Sequence, residues 1–401
     1  MNKTHSLQLE ELMREDEFPN RRSGVMEKEG QRVTRRDFLL GTAALAGSVA
    51  MPPQSAEAAA PSTSIETIDV TPRLIDAAKR EGSLVVRYSS SVEEMTEMAR
   101  AFQTRFGVKV LPDRKVGTLG TQQFATEERA GQHVMDVNYN SDIGGLRELA
   151  DEGLMLRFTL PDLEKKLDKG SYLPGLGYSP KWTDIVIAYN PDLIPHVMAR
   201  EQFKTWRGLL DPKLKGKIGL TDPAVGVPFF TYLMLYQRPE YGRRFLEQLA
   251  AQSPRLYGGA APAREDLASG AIAAFVPYWE SALMLDFLQG GKTAWTYPEI
   301  APTYCTSYLT ISSHAPHPNA ARLFAAWFFT PEGARSLQGG QSRPTLKGFP
   351  DERTAVAKLK QTDWWRPYPA SGHWVPNAED WDNNYEKLMP DMRKVLGWRG
   401  R

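Results

Sequence analysis

Cysteine is nearly absent from this sequence, since Cys305 is the only one in 401 residues. A single thiol excludes an intrachain disulfide and a thiolate metal cluster, so the stability of the fold must come from packing. No histidine lies near Cys305 in the sequence. We therefore interpret it as a partly buried thiol and not as a nucleophile.

An excess of either charge is also missing. The 49 lysines and arginines nearly balance the 48 aspartates and glutamates, and no basic block interleaves with aromatic residues. This balance argues against a nucleic-acid partner. The sequence has no Gly-x-Ser-x-Gly motif and no Walker loop, and its six histidines lack the spacing of a metal-binding helix. We expect no enzymatic activity, no cofactor and no metal, and we interpret His314 and His317 as residues of a solvated turn.

An export signal is indicated near the N-terminus. Arg35 and Arg36 precede Phe38 and Leu39, a short apolar run follows, and small residues of the Ala-x-Ala type surround Ala58. The apolar run is shorter than the roughly 20 residues that span a bilayer. The pattern resembles the twin-arginine (Tat) signal. We expect residues 1–59 to be a disordered leader and signal, cleaved near Ala58 after the Tat machinery delivers the chain to the periplasm.

Strands and helices alternate after the signal. The run from Ser83 to Tyr88 predicts a strand, and apolar spacing predicts a helix over 92–106 that ends at Gly107. Ser91 and Glu94 fit a capping box at the start of that helix. The alternation continues, which predicts an α/β fold with mainly parallel sheets. In such sheets ligands bind beyond the carboxyl ends of the strands, near helix amino ends.

Polar turns follow the predicted strands in two successive α/β blocks, which implies two facing lobes with a cleft between them. The residues of these turns, with their neighbours, are the candidate ligand contacts. In the first block they are Ser89, Ser90, Ser91, Tyr139, Asn140, Ser141 and Asp142. In the second block they are Trp182, Thr221, Asp222, Gly226, Tyr278, Trp279 and Glu280.

Each candidate has a structural alternative. The three serines form either a helix cap or an anion seat, and Thr221 with Asp222 forms either a turn or a contact. Tyr278 and Trp279 belong either to the core or to an aromatic box. Glu280 either contacts the ligand or makes a salt bridge within its lobe. The charge of the ligand stays open, because the hydroxyls favour an anion whereas Asp142, Asp222, Glu280 and the aromatic side chains favour an amine.

Four segments, in order, resemble a known family: the strand that ends at Ser89, the Asp136-Val137 strand with Gly153-Leu154, Leu210 to Gly219, and Ala315 to Ala321 with Pro331 to Gly333. Together they resemble the extracellular solute-binding proteins of the ferric-iron, spermidine/putrescine and phosphonate group. The resemblance implies a type II periplasmic binding protein, an α/β fold in which two lobes close on a ligand by hinge motion. It implies two crossover segments, near 182–189 and near 304–311.

The same resemblance sets the expected boundaries: lobe 1 over 70–183, lobe 2 over 184–305, a return to lobe 1 over 306–350, and an aromatic-rich segment over 351–401 packed on lobe 2. The resemblance implies that the positions that hold ferric iron in iron-binding relatives are occupied here by Val92, Ser141, Trp279 and Glu280, or, with a gap of one in the tyrosine pair, by Tyr278 beside them. A hard trivalent ion needs several anionic oxygens, so we do not expect direct binding of bare iron.

The expected function is that of a monomeric periplasmic component of an ABC importer. It would capture a small polar or charged solute, such as a phosphonate, a phosphorylated or carboxylate compound, or an amine. An inner-membrane permease, with its ATPase on other chains, would be its partner. The alternatives are a ligand-sensing receptor and a periplasmic enzyme that reuses the fold.

Overall fold

A computed structural model describes residues 64–115, 117–168, 170–305, 307–369, 373–376 and 378–398. The export signal predicted within residues 1–59 lies outside the described residues. Among the helices that are described, none combines the length and the apolar character needed to cross a membrane.

The strands are short, and only one of those described exceeds six residues. They are β1 Glu66–Thr67, β2 Ser83–Tyr88, β3 Lys109–Arg114, β4 Val137–Asn140, β5 Phe158–Thr159, β6 Tyr172–Leu173, β7 Gly177–Tyr178, β8 Lys181–Tyr189, β9 Ile218–Thr221, β10 Arg255–Tyr257, β11 Ala274–Trp279, β12 Ala294–Thr296, β13 Ala301–Tyr304, β14 Tyr308–Ile311, β15 Arg343–Pro344 and β16 His373–Trp374.

The helices flank these strands. They are α1 Pro72–Glu81, α2 Val92–Phe106, α3 Gly117–Arg129, α4 Ile143–Asp151, α5 His196–Gln202, α6 Pro228–Gln237, α7 Gly242–Ala251, α8 Ala260–Ser269, α9 Glu280–Leu288, α10 Pro318–Trp327, α11 Pro331–Gly339, α12 Thr354–Leu359 and α13 Ala378–Leu396. Short 3₁₀ turns cover Glu164–Lys166, Trp206–Leu210 and Pro212–Leu214.

Lobe 1 is built on a sheet with the strand order β3-β2-β4-β14-β7-β6. Strand β2 runs parallel to β3 and β4, as the alternation of strands and helices predicts, and β14 then pairs antiparallel with β4. The end signals of α2 are confirmed, because the Ser91 side chain accepts from the Glu94 amide and Gly107 has a left-handed φ of 72°. The capping box is only half formed, since the Glu94 carboxylate bonds Lys181 instead.

Lobe 2 is built on a sheet with the main strand order β10-β9-β11-β8-β13-β16. Its central strand, β8, has nine residues and is buried along its whole length. It pairs antiparallel with β15 at Lys181 and Trp182, with β13 at Thr183 and Asp184, and with both β11 and β12 toward Tyr189. Burial of its second half explains why the residues from Ile185 to Tyr189 are all apolar, without alternation.

The chain crosses from one sheet to the other in several links. The first passage is the link between β7 and β8, a few residues before the segment 182–189 at which the resemblance places it. The second is the link between β13 and β14, inside the expected segment 304–311. A further passage follows α11, where β15 joins the lobe 2 sheet beside Lys181 and Trp182. The lobes are thus held together at one side and face each other across an open cleft.

The C-terminal helix α13 contacts elements of both lobes. It packs against α6 and α7 of lobe 2 and also touches α4 of lobe 1. Met392 and Leu396 bury their side chains in the same core cluster as Leu246 and Leu249 of α7. The aromatic-rich tail is therefore an integral part of the described core.

Candidate functional site

A cleft of about 1100 Å³ lies between the two lobes. Small-molecule pockets in proteins commonly have volumes of about 300–1000 Å³, so this cleft can hold a small solute with its water. Its walls come from strand-to-helix turns of both sheets, which is where parallel α/β sheets place ligands.

The cleft brings together eight of the fourteen candidate contacts. They come from turns that are distant in sequence. Within each lobe the turns meet at the edge of one sheet, and the cleft lies between the two edges. From lobe 1 they are Ser89, Ser90, Ser91, Ser141 and Asp142, and from lobe 2 they are Thr221, Gly226 and Trp279.

Two lobe 1 candidates lie behind the wall. The Tyr139 ring is fully buried, and its hydroxyl donates to Glu94 Oε1 at 3.1 Å. The side-chain oxygen of Asn140, Oδ1, accepts hydrogen bonds from the backbone amides of Ser141 and Asp142 and so holds the turn in shape. Both residues support the cleft wall without lining it.

Two lobe 2 carboxylates form ion pairs with arginines. Glu280 is 1% exposed, pairs with Arg353 at 2.9 Å and accepts a hydrogen bond from Tyr297. Burial raises the pKa of Glu280 above its ordinary value, and the Arg353 charge opposes that shift. Asp222 pairs with Arg393 of α13 at 3.0 Å. For Glu280 the structure therefore has the salt bridge, the second of the two alternatives in the sequence.

Two aromatic candidates also lie outside the cleft. Tyr278 is 2% exposed and packs on Phe275 with ring centroids 5.1 Å apart. Burial raises the pKa of Tyr278 to about 12, so its hydroxyl stays protonated at neutral pH. Trp182 lines a smaller cavity of about 250 Å³ and lies under the guanidinium of Arg343. Of the proposed aromatic box, Trp279 alone faces the cleft.

Three residues of the cleft wall carry a buried hydroxyl that has no hydrogen-bond partner in the described part of the chain. They are Ser90 and Thr121 of lobe 1 and Thr221 of lobe 2. All three residues are at most 8% exposed. A buried hydroxyl without a partner costs roughly 1–3 kcal/mol, so these atoms are suited to a ligand that supplies the missing bonds.

The amino ends of several helices line the same cleft. Helices α2, α3 and α4 begin there from lobe 1, and α8 and α9 begin there from lobe 2. No side chain caps α8 or α9, so their first backbone N–H groups are available. Helix amino ends carry partial positive charge and favour anions. The described structure shows no ion pair for Arg114, which also lines the cleft and adds a full positive charge.

The cleft wall contains many residues that were not predicted from the sequence, among them Arg114, Thr121, Trp381 and Tyr385. Thr121 lies on the inward face of α3, where no turn motif marks it. Trp381 and Tyr385 reach the cleft from α13, and their rings stack with centroids 4.1 Å apart. The spacing of four between the two aromatic residues indicates a shared helix face, but it does not indicate which surface that face covers.

Comparison with known proteins decides the family. The sequence profile of the bacterial extracellular solute-binding proteins matches residues 97–364, which is more than half of the chain. The chain belongs to this family. By sequence, no curated protein matches this solute-binding protein.

Solved structures share its fold. Iron-bound HitA from Pseudomonas aeruginosa is 19% identical with a TM-score of 0.57, over 79% of this chain and 99% of HitA. AfuA from Actinobacillus pleuropneumoniae, with fructose-6-phosphate bound, is 19% identical with a TM-score of 0.58, over 79% and 99%. The apo ferric ion-binding protein A of Pasteurella haemolytica is 17% identical with a TM-score of 0.62, over 80% and 99%. These likenesses show a type II periplasmic binding fold for this solute-binding protein.

Proposed function

We propose that this solute-binding protein captures a small organic anion, or a zwitterion bound through its anionic end, by closing its lobes in the periplasm. It then delivers the solute to the permease of an ABC importer without chemical turnover. The observation that carries this proposal is that both walls of the cleft contain residues with a buried, unpartnered hydroxyl among the described residues, Ser90 and Thr121 on lobe 1 and Thr221 on lobe 2, beside helix amino ends.

The balance of charge in the cleft supports the anion. Of the three carboxylates that the sequence assigned to an amine, Glu280 and Asp222 are paired with arginines. Glu148, Glu152 and Glu386 also line the cleft, and all three are exposed residues that water solvates. Asp142 lines the cleft, but its Oδ1 accepts from the Gly145 amide. An anion finds Arg114, hydroxyl donors and uncapped helix ends. Phosphate esters, phosphonates and carboxylates all present the acceptor oxygens that such a site recognises.

The structure also supports a solute other than bare ferric iron. The one tyrosine next to Trp279 on β11 is Tyr278, whose ring lies in the core. The cleft wall also carries carboxylates, but that of Glu94 is paired with Lys181, that of Asp142 caps α4, and those of Glu148, Glu152 and Glu386 belong to exposed residues. A hard trivalent ion needs several anionic oxygens together.

A thermal-shift screen of the mature protein, followed by calorimetry, tests the proposal. The compounds are phosphonates, sugar phosphates, small carboxylates, amino acids, polyamines and iron chelates. We expect an anionic or zwitterionic compound to raise the melting temperature without being consumed. A shift with polyamines alone would contradict the charge assignment, and consumption of the compound would contradict binding without turnover.

A matched pair of arginine variants locates the site. Arg114→Ala removes the cleft cation, whereas Arg100→Ala removes an exposed cation that pairs with Glu97 outside the cleft. We expect Arg114→Ala to weaken ligand binding about tenfold and Arg100→Ala to leave it unchanged. Equal affinities for the two variants would place the anion elsewhere.

A further inference from the structure

Three residues that are far apart in the sequence meet on lobe 1, outside the cleft. Glu128 lies in the last turn of α3, His133 lies in the loop before β4, and His314 follows β14. The Nδ1 atoms of His133 and His314 lie 2.9 and 2.8 Å from the same oxygen, Glu128 Oε2. The two imidazole rings are 4.5 Å apart and tilted by 34°. One possible ligand atom from each residue lies within 4.8 Å of the others.

The carboxylate at the centre of this cluster lacks a partner for one of its oxygens. The Glu128 side chain has no exposed surface, and its Oε1 atom accepts no hydrogen bond. In the described part of the chain, neither lysine nor arginine pairs with it, and its side-chain partners are the two imidazoles. A buried carboxylate is stable when it is paired and hydrogen-bonded or when it coordinates a metal.

A neighbouring carboxylate shows what a structural pair looks like in this lobe. Asp136 is also fully buried and also accepts from an imidazole, that of His317 at 2.9 Å. Its two oxygens accept backbone amides as well, from Val85 and from His317. Asp136 is therefore satisfied by the protein alone, whereas Glu128 is not.

We propose that Glu128, His133 and His314 form a binding site for a divalent transition-metal ion of the zinc class. Two imidazoles and one carboxylate are a donor set that suits Zn²⁺, Fe²⁺ or Ni²⁺ better than the oxygen-preferring Ca²⁺ or Mg²⁺. An ion shared by both carboxylate oxygens gives Oε1 the partner that it lacks. The imidazoles then exchange their hydrogen bonds to Oε2 for bonds to the ion.

The geometry needs only a small adjustment. Zinc binds nitrogen and oxygen at about 2.0–2.2 Å, so ligand atoms of a tetrahedral site lie roughly 3.3 Å apart. The present nitrogen-to-oxygen distances are 2.8 and 2.9 Å. The side chains of His133 and His314 are 40% and 49% exposed, so they can move outward and leave room for water as a further ligand.

The site would link three segments at one edge of lobe 1. His133 and His314 flank the Val137 end of the antiparallel pair β4 and β14, whereas the cleft lies beyond its Asn140 end. The metal is therefore distinct from any solute in the cleft. Its expected role is to fasten the end of α3 to the loop after β14.

Calorimetric titration of the untagged, EDTA-treated protein with Zn²⁺ tests the proposal, with the Co²⁺ absorption spectrum as a second readout. We expect one ion per chain and the visible bands of nitrogen- and oxygen-bound Co²⁺. His133→Gln and His314→Gln should each weaken binding at least about tenfold. His317→Gln, which alters the satisfied pair with Asp136, should bind Zn²⁺ like the wild type.

The test uses the two histidine variants because His133 and His314 are partly exposed, so their substitution should not disturb folding. Glu128→Gln is avoided because it alters a buried residue. The proposal is overturned if the wild type shows no saturable Zn²⁺ binding, or if both His133→Gln and His314→Gln bind as tightly as the wild type. Arg114→Ala separates this site from the cleft, since it should lose solute affinity and keep the metal.

Discussion

The Lys181 ammonium lies 2.9 Å from each carboxylate oxygen of Glu94. Glu94 belongs to α2 of lobe 1, and Lys181 is the first residue of β8 in lobe 2. The Ser342 hydroxyl, which precedes β15, donates to the same carboxylate at 2.5 Å. One buried side chain of lobe 1 thus holds two of the segments that connect the lobes, at the base of the cleft.

Removal of the lysine should destabilise the protein strongly. Lys181→Met leaves Glu94, 1% exposed, as an uncompensated charge, so we expect a loss of about 3–5 kcal/mol in the free energy of unfolding. Urea unfolding measures it. Lys165→Met, which alters an exposed pair with Asp162, should leave the free energy of unfolding nearly unchanged. A loss in Lys181→Met no larger than in this control would contradict the prediction.

Loss of a cleft hydroxyl should lower affinity without lowering stability. Thr221→Val keeps the shape of a buried side chain and removes a hydroxyl that has no hydrogen-bond partner among the described residues. We expect solute affinity to fall about tenfold and unfolding free energy to stay equal or rise. Thr303→Val is the matched control, because the Thr303 hydroxyl donates to Asp184 at 2.5 Å. That variant should lose stability and keep affinity, and the opposite pattern would exclude Thr221 as a contact.

Solute binding should change the emission of cleft tryptophans. Trp279 of lobe 2 and Trp381 of α13 line the cleft, whereas Trp327 is 2% exposed within the core of lobe 1. Closure alters the solvent around the first two rings only. We expect the ligand-induced fluorescence change to shrink in Trp381→Phe and to persist in Trp327→Phe. A signal lost only in Trp327→Phe would mean that closure does not reach α13.

The single thiol should be inert in the folded protein. Cys305 is 3% exposed, and burial raises its pKa from 9.0 to about 12. Because the unfolded thiol ionises first, its contribution to stability is present below pH 9 and is lost as the pH rises toward 12. Labelling by a thiol reagent at pH 8 should be slow until denaturant is added. Rapid labelling of the native protein would show that the crossover opens.

The local elements of this fold are predictable because their signals are local. Ser91 and Gly107 bracket α2 through contacts within one turn, and the apolar run of β8 marks a buried central strand. The turns after the parallel strands β2 and β4 share one edge of the lobe 1 sheet, and the turns after β9 and β11 share one edge of the lobe 2 sheet. These features follow from periodicity and from sheet topology.

Partners that come from distant parts of the chain were not predictable. Glu94 has the spacing of a capping box, yet its carboxylate faces Lys181, 87 positions away. His133 and His314 show no metal spacing, because tertiary folding alone brings them to Glu128. Sequence periodicity does not predict which arginine pairs with which carboxylate when the two are far apart in the chain.

Glu280 is a residue at which the local sequence pattern indicates a ligand contact but the tertiary structure forms a salt bridge. At the end of a strand beside Trp279 it looks like a ligand contact, but Arg353 and Tyr297 enclose it. Glu280→Ala removes one of the two carboxylates that face Arg353, the other being the more exposed Asp351. We expect a loss of about 3 kcal/mol in unfolding free energy and a solute affinity within about twofold of the wild type.

Urea unfolding and calorimetry on the same Glu280→Ala preparation separate the two roles. Arg353→Met is the matched variant, because it breaks the same pair from the other side and lies outside the cleft wall. Both variants should lose stability and bind solute. If Glu280→Ala keeps its stability and loses binding tenfold while Arg353→Met does not, Glu280 contacts the solute, and closure must then turn its carboxylate away from Arg353 toward the cleft.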